Sequence, residues 1–187
     1  MAINRIEING YGQIELNNVA FRRDGRIEAQ CALDSTDFAS KVAENGMILA
    51  IDPITRKVKL PTGSDTLLAL NYTTEHIYDE RTPGYKDYFN KPGGFYPRLG
   101  YLSVGDKFTT NTVCYDTTDF ANMAAVKTAL TPDAAHLGTT AVYAVPHTSG
   151  AWKLTTTKPT TGVGLQVRRG FTMPDGQYGI QFVVIVA

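Results

Sequence analysis

Three short apolar runs, each fenced by turn-forming residues, constrain this chain most. The first is Met47-Ile48-Leu49-Ala50-Ile51, between Asn45-Gly46 and Asp52-Pro53. The second is Leu67-Leu68-Ala69-Leu70-Asn71-Tyr72. The third is Leu99-Gly100-Tyr101-Leu102-Ser103-Val104, between Tyr96-Pro97 and Gly105-Asp106. Apolar runs bounded by Gly, Pro, Asn or Asp read as strands. A fourth strand, Lys57-Val58-Lys59-Leu60, lies between the first two. No catalytic motif accompanies these runs, so the sequence speaks first about architecture.

Strand signals continue on both sides. Arg5-Ile6-Glu7-Ile8 and Gln13-Ile14-Glu15-Leu16 alternate polar and apolar residues, and Asn9-Gly10 predicts a hairpin between them. A second hairpin is expected from Val19-Ala20-Phe21-Arg22 through Arg23-Asp24-Gly25 into Arg26 to Cys31. Downstream, Lys107 to Asp116, Ala141 to Val145, Trp152 to Leu154, Gly164 to Val167 and Gln181 to Val186 read as strands, with Met173-Pro174-Asp175-Gly176 as a hairpin turn. The last run lacks polar alternation and is expected to sit centrally, covered on both faces. Two short helices are predicted. One spans Thr36 to Glu44, capped by Asp34 or Ser35 and ended by Asn45-Gly46; the other spans Asp119 to Leu130, capped by Thr118 and stopped before Pro132. The fold class is therefore mainly β with two short helices.

Residues 79–96 break the pattern. They hold Pro83-Gly84 and Pro92-Gly93 and five aromatics, Tyr85, Tyr88, Phe89, Phe95 and Tyr96. Such length without periodicity marks an excursion from the sheet. Two readings stand: the aromatics plug an open end of their own fold, or they contact a partner.

Bulk properties narrow the function classes. With 187 residues, the chain is long enough to bury a core without metal or disulfide support. Lys plus Arg and Asp plus Glu both number 18, so no basic excess points to nucleic acid, and there is little long-range repulsion against self-association. Cys31 and Cys114 are expected to be free, buried thiols. No secretory leader or membrane-length apolar run is read, which leads to the expectation of a protein made and folded in a cytoplasm, without a membrane partner.

The search for chemistry is negative. His76, His136 and His147 lie outside metal-ligand spacing of one another, and no Cys-x-x-Cys pattern occurs. Gly162-Val163-Gly164 has no helix signal after it, as a phosphate cradle requires. Asp79-Glu80 and Asp116 with Asp119 read as solvated loop acids. The expectation is a non-enzymatic protein with no cofactor and no metal.

The stretch from about Asn45 to Asp116 resembles the small β-barrel of phage capsid decoration proteins, the β-tulip type of head-stabilising protein. The resemblance rests on Asn45-Gly46-Met47-Ile48-Leu49-Ala50-Ile51-Asp52, Lys57-Val58-Lys59-Leu60, Leu68-Ala69-Leu70-Asn71-Tyr72, Leu99-Gly100-Tyr101-Leu102 and Val104-Gly105-Asp106-Lys107-Phe108. These are turn and alternation patterns over roughly 70 residues. The N-terminal hairpins, the long C-terminal part and the aromatic excursion depart from the minimal pattern.

The resemblance implies a virion protein on the outside of the capsid that clamps neighbouring capsomers, with the major capsid protein as partner and a homo-oligomer, a trimer by preference. With those departures the chain is expected to divide into an N-terminal β-hairpin arm, 1–33, and a β-barrel domain with a C-terminal β extension, 34–187. Partner-contact candidates are Arg5, Ile6, Glu7 and Ile8 on the arm and Tyr85, Tyr88, Phe89, Phe95 and Tyr96 on the excursion. The alternative is a carbohydrate- or receptor-binding module of a phage tail or baseplate. That reading draws on the same aromatics together with Trp152, since exposed rings can stack on sugars.

Overall fold

A computed structural model describes residues 3–6, 12–73, 91–92, 96–130, 141–174 and 176–187. The fold is mainly β with two helices. In chain order the elements are β1 (Ile3–Arg5), β2 (Ile14–Asn18), α1 (Phe21–Asp24), β3 (Ile27–Glu28), β4 (Ala32–Leu33), β5 (Ile48–Asp52), β6 (Lys57–Lys59), β7 (Leu68–Asn71) and β8 (Leu99–Gly100). They continue as β9 (Lys107–Thr110), β10 (Val113–Asp116), α2 (Met123–Leu130), β11 (Tyr143–Pro146), β12 (Trp152–Thr155), β13 (Gly164–Thr172) and β14 (Tyr178–Val186).

Eight strands form one sheet in the order β1-β10-β12-β11-β13-β14-β9-β2. β9 and β10 are joined only by Asn111 and Thr112, yet four strands separate them in the ladder. In a flat sheet they would lie about 24 Å apart. The link between Thr110 and Val113 spans at most about 11 Å. The sheet must therefore roll round on itself. The aromatic core shows the same roll: Phe108 of β9 meets Phe182 of the adjacent β14 and also Trp152 of distant β12, with ring centroids 5.8 Å apart in both cases. Ile180, Phe182 and Val184 of β14 point inward, and α2 adds Val126 and Leu130 to this core.

The second sheet runs β3-β8-β7-β5-β6-β4. It has apolar groups on both faces, which is why β5 reads as an unbroken apolar run. Ile48 and Leu70 join the main core. Leu49, Ile51 and Ala69 join a smaller core with Cys31, Leu33, Phe38, Ala43, Val58 and Leu99. Each fully buried side chain of this size stabilises the fold by roughly 1.5–3 kcal/mol relative to exposure.

The expectations need several corrections. β1 does not pair with β2. β1 is antiparallel to β10 and β2 to β9, so the two strands edge one bent strand from opposite ends. The second expected hairpin is also absent. Phe21 to Asp24 winds into α1, which ends at Gly25 with φ 71°, and β3 pairs with β8 instead. Phe21 is fully buried against Tyr72, with ring centroids 5.1 Å apart.

Residues 3–33 are thus not a separate arm. Their strands enter both sheets, and Ile6, Val19, Phe21, Cys31 and Leu33 are core residues. Nor is the C-terminal part an extension, because β11 to β14 form the middle of the larger sheet. The segment from Asn45 to Asp116 is no barrel by itself. β5 to β8 lie in one sheet and β9 and β10 in the other.

No helix forms over 36–44. Asp34 does accept the amides of Thr36 and Asp37, at 2.8 and 3.2 Å, but the turn stops there. Asp37 is diverted to the amide of Leu60 at 2.9 Å. The second helix is present in shorter form as α2. β14 is central as expected, but only its inward face is fully covered, since Val183 and Ile185 remain half-buried.

Candidate interaction surface

β7 and β8 are antiparallel neighbours, with Leu70 opposite Gly100 and Asn71 opposite Leu99. Residues 72–98 are therefore the connection between two adjacent strands. The described ends of that connection, Tyr72 and Arg98, lie side by side.

The root of that connection is held by a buried polar relay. Asn71 is fully buried. Its amide group donates to the carbonyls of Ala43 and Glu44, at 2.9 and 3.0 Å. Its side-chain oxygen accepts from the amide and the hydroxyl of Thr73, at 3.2 and 2.5 Å. The Thr73 hydroxyl in turn accepts the Arg98 amide at 3.0 Å, and the Tyr72 amide donates to the Arg98 carbonyl at 3.0 Å. Buried polar groups satisfied in this way fix one geometry, because any broken member leaves a costly orphan. Beyond this root Tyr96 is 55% exposed, Pro97 is buried and Arg98 is exposed.

The same relay reaches the N-terminal strand. Arg5 forms an ion pair with Glu44, whose carbonyl is held by Asn71. Arg5 is thereby linked, through Glu44 and Asn71, to the hydrogen bonds that hold Arg98, two residues from Tyr96. Ile6 is different. It is 2% exposed, and its amide donates to the Val113 carbonyl at 3.1 Å, so it belongs to the core and is not offered to a partner. Glu7, Ile8, Tyr85, Tyr88, Phe89 and Phe95 lie outside the described residues. Sequence reasoning missed Asn71 and Thr73. Their spacing, an Asn closing an apolar strand and a Thr two residues on, was a readable turn signal.

Trp152 does not belong to this surface. It is fully buried, so it offers no face to a sugar. A separate cleft of about 340 Å³ opens between the loops after β6, β11 and β12, lined by Pro61, Leu68, Val145, Pro146 and Val163 with Ser64, Asp65 and Thr148 among its polar groups. No aromatic side chain lines it.

Several titratable groups among the described residues have structural roles. Cys31 and Cys114 are free and buried; burial pushes the Cys114 thiol up to about 12 and also raises Cys31. His147 Nδ1 lies 2.9 Å from the Ser149 hydroxyl and accepts the Ser149 amide at 3.2 Å. This braces the turn between β11 and β12, and partial burial lowers the imidazole's affinity for a proton. No group of three or more His, Cys, Asp or Glu that could hold a metal occurs among the described residues. No helix among them is long and apolar enough to cross a membrane. No family model, no curated protein and no solved structure matches the chain.

Proposed function

We propose that this chain is a structural virion protein that binds the outside of a phage capsid and stabilises it by clamping neighbouring capsomers. In this reading it acts as a homo-oligomer, a trimer by preference, with the major capsid protein as its partner. The observation that carries the reading is the rooted aromatic connection between β7 and β8. The sequence between β7 and β8 holds five aromatics, and its described ends are held by hydrogen bonds from Asn71 and Thr73, with Arg5 linked to Asn71 through Glu44. A rigid root lowers the ordering cost of binding, and aromatics supply the anchors that dominate interfaces. A ligand that prefers the assembled shell over free subunits stabilises the shell by mass action.

The glycan-binding alternative is the weaker one. Burial of Trp152 removes its largest ring, and the open cleft has no aromatic platform. The test is co-sedimentation of the purified protein with expanded capsids that lack it, beside an array of cell-wall glycans. Saturable capture by capsids supports the proposal. Glycan capture without capsid binding would replace it with the alternative.

A further inference from the structure

A second surface stands on β13. Val167 lies opposite Phe182 and Arg169 opposite Gln181, so β13 carries one extra residue, Arg168, at this point. Consecutive strand residues normally face opposite sides of a sheet. A bulge breaks that alternation and re-aims side chains. Here both Arg168 and Arg169 are exposed.

Arg169 is further ordered by stacking, its guanidinium carbon lying 4.6 Å from the ring centroid of Phe171 two residues on. Stacking uses the face of the guanidinium and leaves its N–H edge free for a planar, bidentate acceptor. Neither arginine forms an ion pair with a described residue, whereas Arg5, Arg26, Lys59 and Lys153 all do.

We propose that Arg168, Arg169 and Phe171 form a docking patch for the carboxylate side chains of a partner protein. Charge complementarity selects the occupant: two neighbouring guanidiniums, neither ion-paired with a described residue and one of them stacked on Phe171, match a pair of Asp or Glu side chains. Phosphate chemistry is disfavoured. Nucleic-acid binding depends on many neutralised phosphates, and two cations in a chain with equal numbers of acidic and basic residues give a small, salt-sensitive contribution. The inference does not depend on the capsid reading, because it concerns the chemistry of the partner and not its identity.

The test compares the full-length protein with R168A/R169A, R168K/R169K and R23A/K158A, the last removing two exposed positive charges elsewhere. The probes are poly-L-glutamate and duplex DNA at matched charge concentration and low salt, and thermal melting checks that each variant folds. The expected result is binding of poly-L-glutamate that falls at least tenfold in R168A/R169A and severalfold in R168K/R169K. It should change less than twofold in R23A/K158A, and DNA should bind more weakly than poly-L-glutamate. Equal losses in R168A/R169A and R23A/K158A, no loss in R168A/R169A, or tighter binding of DNA would each overturn the proposal. Failure of the wild-type protein to bind capsids, with these differences intact, would count against the capsid reading alone.

Discussion

The indole N–H of Trp152 donates to the main-chain carbonyl of Gly46 at 2.9 Å, tying β12 of the rolled sheet to the turn that opens β5 of the other sheet. Two further bonds lie beside it. The Thr112 hydroxyl donates to the Asn45 carbonyl at 2.7 Å, and the Ile48 amide donates to the Gly150 carbonyl at 2.8 Å. Gly46 has φ 83°, and a Cβ there would collide with the Thr110 hydroxyl. Trp152→Phe keeps most of the ring but orphans a buried carbonyl, so a loss of about 1–3 kcal/mol is expected in denaturant unfolding. Gly46→Ala adds left-handed strain to a steric clash and should cost more than about 2 kcal/mol. A Trp152→Phe protein as stable as wild type would show that the junction contributes little.

Asp116 ends β10 and has a nearly fully buried carboxylate. It accepts from Lys153 Nζ at 2.6 Å and from the amides of Thr118 and Asp119 at 3.0 and 3.1 Å. The Lys153 hydrogen bond, followed by the Asp119 amide, holds its pKa below the ordinary value of 3.8, while the same pair holds Lys153 above 10.5. A depressed carboxyl pKa contributes stability that is present above the unfolded value and lost as pH falls through the folded one. A raised lysine pKa contributes stability that is lost as pH rises through its folded value. Asp116→Asn should therefore be destabilised relative to wild type at neutral pH, with the difference shrinking below about pH 4. Urea titrations across pH check this, and a gap that persists unchanged into strong acid would contradict it.

Removal of residues 1–31 should abolish cooperative folding. It deletes β1, β2 and β3 and takes Ile6, Val19 and Phe21 from the core. Loss of a single large core side chain already costs about 3–5 kcal/mol. A soluble truncated protein with a sharp thermal transition would contradict the integrated N-terminus.

These cases show which parts of the fold were legible. The Met173 to Gly176 turn was readable because its partners are local: β13 and β14 pair directly across it, and the Gly176 amide donates to the Met173 carbonyl at 2.9 Å. The unbroken apolar run of β5 announced burial on both faces. Asn9-Gly10 misled because a turn signal assumes that flanking strands pair with each other, whereas β1 and β2 each found a better partner in the bent strand about 100 residues away. The expectation that Asp34 or Ser35 caps a helix failed: Asp34 does accept the Thr36 and Asp37 amides, but these bonds close a turn that does not propagate. Trp152 could not be placed from sequence, since its hydrogen-bond acceptor lies 106 residues upstream. Of the proposed contact residues, Arg5 and Tyr96 stood out in the sequence as polar or aromatic positions off the core pattern, while the relay through Glu44, Asn71 and Thr73 depends on tertiary contacts.

Thr73 tests the root of the aromatic connection. Its hydroxyl donates to Asn71 and accepts from the Arg98 amide. Thr73→Val keeps the shape and removes both bonds, with an expected loss of about 1–3 kcal/mol. Amide exchange at Arg98 should speed up by at least tenfold while exchange in β13 and β14 changes little. Uniform acceleration across the protein would mean that Thr73 supports the whole fold and not the root of the connection.

The capsid proposal is tested most directly by cryo-electron microscopy of expanded capsids reconstructed with and without the bound protein. The account predicts added density on the outer surface at symmetry-related sites, with the connection between β7 and β8, where Tyr96 and Arg98 are exposed, turned toward the shell. Absence of added density at saturating concentrations of folded protein, or density with that connection turned to solvent, would contradict it.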